Sequence, residues 1–137
     1  MPPQVPFDLA QPGWKVFQGQ ATWRPKTGAS EIAGELLVAV NADGRGFAQF
    51  TKNPLPMVLA QLDGRRWQIE FPADNRRYSG HGERPQRLLW LFLLDALNDP
   101  QLAPTLIRDD GRLLLEDSTT GEQIDGYLAP DRMPVQP

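Results

Sequence analysis

Apolar and polar positions alternate with a period of two along most of the chain, and the alternation breaks at one run that is apolar on every side. From Gly13, Phe17, Gly19, Ala21 and Trp23 share one side of a first strand, while Lys15, Gln18, Gln20 and Thr22 mark the other as partly wet. A turn at Pro25–Gly28 leads to a second strand, Ile32–Val40. Its two faces, Ile32, Gly34, Leu36, Val38, Val40 and Ala33, Glu35, Leu37, Ala39, are both mostly apolar, which predicts a central position. Asn41–Gly44 reads as a hairpin turn into a third strand, Arg45–Thr51, where Gly46 points to a bulge or a close approach. Asn53–Pro56 interrupts the sheet before a fourth strand, Met57–Leu62. Asp63-Gly64 then turns into a fifth, with Trp67, Ile69 and Phe71 on one side and Arg66, Gln68 and Glu70 on the other. A turn at Pro72–Asn75 starts a sixth strand ending at Tyr78–Gly82, where Ser-Gly-His-Gly supplies a flexible lead into the next element.

That element is the run LLWLFLLDAL, Leu88–Leu97. Leu88 through Leu94 are seven consecutive apolar residues, which on a helix leave no polar face for water. The run is far short of the about 20 residues needed to cross a membrane. Pro85 suits a first helical turn and Asn98-Asp99-Pro100 a stop, which predicts a helix over Pro85–Asn98 with Trp90, Leu91 and Leu94 toward the sheet. A short apolar piece, Thr105–Ile107, and a hairpin of Arg112–Glu116 with Gln123–Leu128 about the turn Ser118–Gly121 complete the pattern. The fold class is therefore mainly β with an α+β element: a curved antiparallel sheet or incomplete barrel, with one apolar helix as plug or lid on its concave face. A closed lipocalin-like barrel is the nearest rival, disfavoured by a helix in mid-sequence. The domain plan is an extended, loosely packed Pro-rich arm over 1–13, a single monomeric half-barrel over 14–129 and a disordered tail over 130–137.

Composition narrows the function. With no cysteine, disulfides and thiolate chemistry are excluded. A net charge of −3 speaks against a nucleic-acid partner, although residues 1–87 carry 11 Lys/Arg against 8 Asp/Glu and residues 88–137 carry 3 against 9. The N-terminus shows no signal peptide, which leaves a cytosolic chain or a trimmed exported one. His81 is the only histidine, and Ser79 lies near it without an oriented acid; no metal, cofactor or catalytic residue is expected, and the chain reads as a non-enzyme. Pairing of strands five and six would put Arg65 and Arg66 near Gly82 and Arg84, beside His81 and Arg87, and Arg76 and Arg77 at the far end. Large aromatic and aliphatic positions stand out: Trp23, Leu36, Val38, Phe50, Trp67, Ile69, Phe71, Trp90, Leu91 and Leu94. They would line an apolar ligand cavity under a lid helix, or equally fill a core. Phe47 is an alternative to Phe50 in this set.

The segment Thr51–Gly80, TKNPLPMVLAQLDGRRWQIEFPADNRRYSG, followed by an apolar helix, resembles the bacterial lipoprotein carriers and receptors of the LolA/LolB type. It looks closer to the outer-membrane receptor LolB in its Asn53-Pro54-Leu55, the two strands that follow and Arg77-Tyr78 before the helix. The resemblance covers about a third of the chain. It implies an incomplete barrel whose hydrophobic cavity takes acyl chains or the lipid moiety of a lipoprotein. It also implies a place in the periplasm or on the inner face of the outer membrane, a membrane surface as a further partner, and no enzymatic step. The chain departs from the receptor in lacking its lipidated cysteine, in its shorter length and in showing a single clear helix. The alternative is a structural or protein-interaction module of the envelope with a self-filled core and no ligand.

Overall fold

The computed structural model describes residues 6–83 and 88–130. Eight strands form one antiparallel sheet: β1 (Trp14–Arg24), β2 (Ile32–Asn41), β3 (Arg45–Lys52), β4 (Leu55–Asp63), β5 (Arg66–Phe71), β6 (Arg76–His81), β7 (Arg112–Glu116) and β8 (Gln123–Pro130). Their order is β6-β5-β4-β3-β2-β1-β8-β7, so the sheet curls without closing and β2 lies in its interior as its two apolar faces require. Two helices follow β6: α1 (Leu89–Leu97), across the concave face, and the single turn α2 (Ala103–Leu106). Pro85–Arg87 fall outside the described residues, as do most of the tail and Arg84, but Leu88 is extended, so α1 begins at Leu89 and not at Pro85 as expected.

The curl has a visible cause in side-chain size. Gly34, Ala21 and Gly126 lie in register across β2, β1 and β8, a row of minimal side chains on the concave side. A β-carbon at Gly34 would run into the Thr51 carbonyl, and one at Gly126 would sit 2.5 Å from the Gln20 carbonyl. Small residues at such positions favour close backbone approach and bending. Next to it the wall is large and apolar: Leu36 pairs with Phe50 and Phe50 with Val58. Val38, Ala48, Ala60 and Ile69 form a parallel row whose two central alanines leave a trough.

Several local expectations change. The bulge lies at Phe50/Thr51, not at Gly46, whose added β-carbon would meet the Ala39 carbonyl at 3.2 Å. The fourth strand starts at Leu55, two residues early, since Pro56 pairs with Thr51 within the ladder. Thr105 and Leu106 complete α2, and Ile107 makes only an isolated bridge to Leu113. Lys15 belongs on the side of Phe17, because alternation gives both the same parity. The arm is neither extended nor loose over residues 6–13: it turns, and Phe7 and Leu9 pack on Val16, Ala39 and Phe47. The convex side of β2 and β3 is apolar enough to need that cover.

Candidate functional site

The concave positions of β2 to β5 from Leu36 and Phe50 through Val58 and Ala60 to Ile69 are apolar. α1 lies over this wall. Trp90, Leu91, Leu93 and Leu94 are fully buried, and only Phe92 and Asp95 of the helix face outward. The Trp90 ring packs 5.7 Å from Phe50 and edge-on to Trp23 at 5.9 Å, while Trp23 stacks on Phe71 at 5.9 Å. All ten positions expected around a cavity meet in one cluster, with Trp67 and Phe71 at its margin. Phe47 points the other way, into the convex patch. The concavity between these residues is occupied by α1: Leu36, Val38, Phe50, Ile69, Trp90, Leu91 and Leu94 have no exposed surface.

Polar side chains fasten α1 at its two ends. Its first turn has no side-chain cap of its own, because Leu88 stands at the N-cap. Glu122, from the β7–β8 hairpin, stands in its place: the carboxylate accepts a hydrogen bond from Trp23 Nε1 at 2.9 Å and lies near enough to the Leu89 N–H to be stabilised by it. A carboxylate at a helix N-terminus is also favoured by the helix dipole. Burial raises the Glu122 pKa above the usual carboxylate value, the two hydrogen bonds oppose the rise, and Asp117 adds to it. At the other end Asn98 Nδ2 donates to the Asn41 carbonyl at 2.8 Å. Asn41, itself buried, gathers three elements: its Nδ2 donates to the Pro12 carbonyl, and its Oδ1 accepts from Asp43 N–H in the β2–β3 turn.

Two openings flank the helix. One, about 370 Å³, lies at the C-terminal end of α1, floored by Phe17, Leu97, Ile107 and Leu128 and rimmed by Lys15, Arg108, Asp109 and Asp110. That volume is within the range of small-molecule pockets. The other, about 220 Å³, is bordered by Trp23, Phe71, Tyr78, Leu88, Arg76, Asp74 and Glu122.

The fifth strand carries Arg65 and Arg66 to one end of β6, where Gly82 N–H donates to the Arg65 carbonyl, and leaves Arg76 opposite Phe71 at the other. Ser79 and His81 stand on one exposed face of β6, sharing a shallow groove with Asp63 but making no hydrogen bond to it or to each other among the described residues. The segment Ser79–His81 is strand, not a flexible lead. Gly80 is there to admit the Trp67 indole, since a β-carbon would lie 2.5 Å from Trp67 Cζ2. No group of three or more potential metal ligands occurs among the described residues.

Glu122, Asn41 and Asn98 escaped the sequence reading. An acidic residue after the turn Ser118–Gly121 carries no mark of which helix it will cap, and a turn asparagine looks like any other. No family model matches the chain, and comparison with characterised proteins finds no match either. The likeness to the LolA/LolB carriers thus rests on the segment Thr51–Gly80 alone.

Proposed function

We propose that the protein is a non-enzymatic carrier that holds an acyl chain, such as the lipid moiety of a lipoprotein, between α1 and the concave sheet in a bacterial envelope. The observation that carries this reading is the way the wall is covered. A wall of aliphatic and aromatic side chains lies under a single short helix, which Glu122 and Asn98 meet at its two ends among the described residues. Release of those ends lets α1 lift as a lid, and the methylenes of the ligand replace the leucines that leave. Burial of each methylene contributes about 0.8 kcal/mol, which offsets much of the cost of uncovering the wall. The chain enters at the 370 Å³ opening, continuous with the core through Phe17, Leu97 and Leu128, and Lys15 and Arg108 at its rim meet an anionic head group.

A second reading, an envelope module with a self-filled core, is favoured by the complete burial of Trp90, Leu91, Leu93 and Leu94. Titration with a fluorescent fatty-acid analogue separates the two. The carrier reading expects saturable micromolar binding, weakened several-fold in the folded fraction by Leu91→Ala or Leu94→Ala, on top of the stability cost of truncating a buried leucine. Loss of about 2–5 kcal/mol of stability in both variants, without any effect on probe affinity of the folded fraction, would assign the helix to the core.

A further inference from the structure

We propose that β6 is a docking edge for an extended, carboxylate-bearing segment of a partner protein, added antiparallel or parallel as a ninth strand. The open sheet has two outer strands, and the molecule treats them differently. Part of the outer side of β7 is taken: Ile107 bridges Leu113, and Arg108 N–H donates to the Arg112 carbonyl at 3.0 Å. β6 pairs with β5 through all six of its residues without a bulge, and no described residue pairs with its other side. Alternate residues there direct N–H and C=O outward, the groups that bind an added strand.

The charge along this edge selects the occupant. β6 itself contains no acidic residue. Arg76 and Arg77 stand at its start, and Arg65, Arg66 and His81 at its end, a separation of about 20 Å at ~3.4 Å per residue. Glu70 engages Arg77 at 3.8 Å, whereas Arg65, Arg66 and Arg76 have no ion-pair partner among the described residues. Asp74 and Glu122 border the same opening as Arg76, Asp63 the groove beside Arg66, and Glu83 follows the strand two residues past its end, so the acids lie around β6 and none within it. An acidic segment of about six residues would place carboxylates at both arginine pairs while its backbone completes the ladder. A second copy of β6 would instead bring cations to cations, and the partly covered β7 is a poor complement.

The proposal is independent of any movement of α1. Its test is fluorescence anisotropy of a labelled peptide of alternating glutamate and valine, against a lysine–valine counterpart, with amide hydrogen exchange read over residues 76–81. The expected result is binding at least about tenfold tighter for the acidic peptide, slowed exchange in β6, and loss of about tenfold in the doubly substituted R76E/R77E protein, whose changes are on exposed side chains. Equal binding of the two peptides, absence of β6 protection, or indifference to R76E/R77E would each overturn it. So would binding only to phosphatidylglycerol vesicles, or protection of β6 by self-association.

Discussion

The two faces of the sheet are both apolar near β2 and β3, and they are covered in opposite ways. On the convex face Val16, Ala39 and Phe47 are sealed by the arm immediately before β1. The Phe7 ring lies 5.3 Å from Trp14 and 6.4 Å from Phe47, and the Arg45 guanidinium lies over Phe7 and Trp14 at 5.6 and 5.1 Å. Arg45 is itself tied to Asp43 at 2.8 Å and to Gln11 at 3.1 Å. That cover is local in sequence, interlocked by charge and rings, and built as a permanent seal. The concave cover comes from the distant segment 89–97 and meets the wall through apolar side chains. One face is held by rings and charge together; on the other, the polar contacts identified among the described residues lie at the two ends of α1.

The strongest test of this contrast is truncation on each side. Trp90→Ala, at a fully buried position, is expected to cost about 3–5 kcal/mol in urea unfolding if α1 is packed as core in the unliganded protein. A cost under about 1 kcal/mol would mean that the helix spends much of its time off the wall. Phe7→Ala removes a half-buried ring and should cost about 1–2 kcal/mol, with no change in affinity for a fatty-acid probe. An effect on that affinity would show that the arm is not an independent seal.

Much of the architecture was legible because strand alternation and turn glycines are local signals. The wall from Leu36 to Phe71 follows from periodicity, whereas the run Leu88–Leu94, apolar all round, marks α1 as buried without selecting a face, and Leu89 and Leu93 are buried along with Trp90, Leu91 and Leu94. The curl was not legible, since Gly34, Ala21 and Gly126 become a row only once β2, β1 and β8 are in register. Gly80 was misread for the same reason: its task is set by Trp67 on the next strand. The arm was misjudged because four prolines in the first dozen residues suggest an extended chain, while Phe7 and Leu9 answer to a convex patch formed by strands far along. Whether the concavity is empty or full depends on how deeply one helix settles over two alanines, Ala48 and Ala60, which no pattern in a single segment encodes.

A smaller effect should come from Asn98, the C-terminal fastening of α1. Asn98→Ala removes the bond to the Asn41 carbonyl, a contribution of about 1 kcal/mol. If α1 is a lid, that loss falls on the closed state alone, so the open fraction rises and the apparent affinity for a fatty-acid probe improves by up to about fivefold. If α1 is core, the same loss shows in global unfolding and the probe is unaffected. Measuring both quantities on one variant decides between them.

The smallest expected change, and the one that sets the two faces directly against each other, is in the pH dependence of stability. On the convex side Asp43 is exposed and held below the usual carboxylate value by its side-chain bond with Arg45, against a small opposing desolvation. A depressed carboxyl adds stability that is present above its unfolded value, near 3.8, and is lost as pH falls through its folded one. On the concave side the Glu122 pKa is raised by burial from a reference of 4.5, so between the unfolded and folded values the native state holds more protons than the unfolded chain. Stability therefore falls as pH rises through that window, and acidification from neutral relieves the desolvation of Glu122 before it weakens the Asp43–Arg45 contact of the convex seal. Glu122→Gln keeps an acceptor for Trp23 Nε1 and Leu89 N–H but cannot titrate, so its stability should be flat across the window just above 4.5 where the parent protein slopes. Asp43→Asn should leave that slope in place and flatten the profile only at lower pH. Identical profiles for the parent and Glu122→Gln would mean that Glu122 is solvated in solution, and with it the end of α1 that it caps.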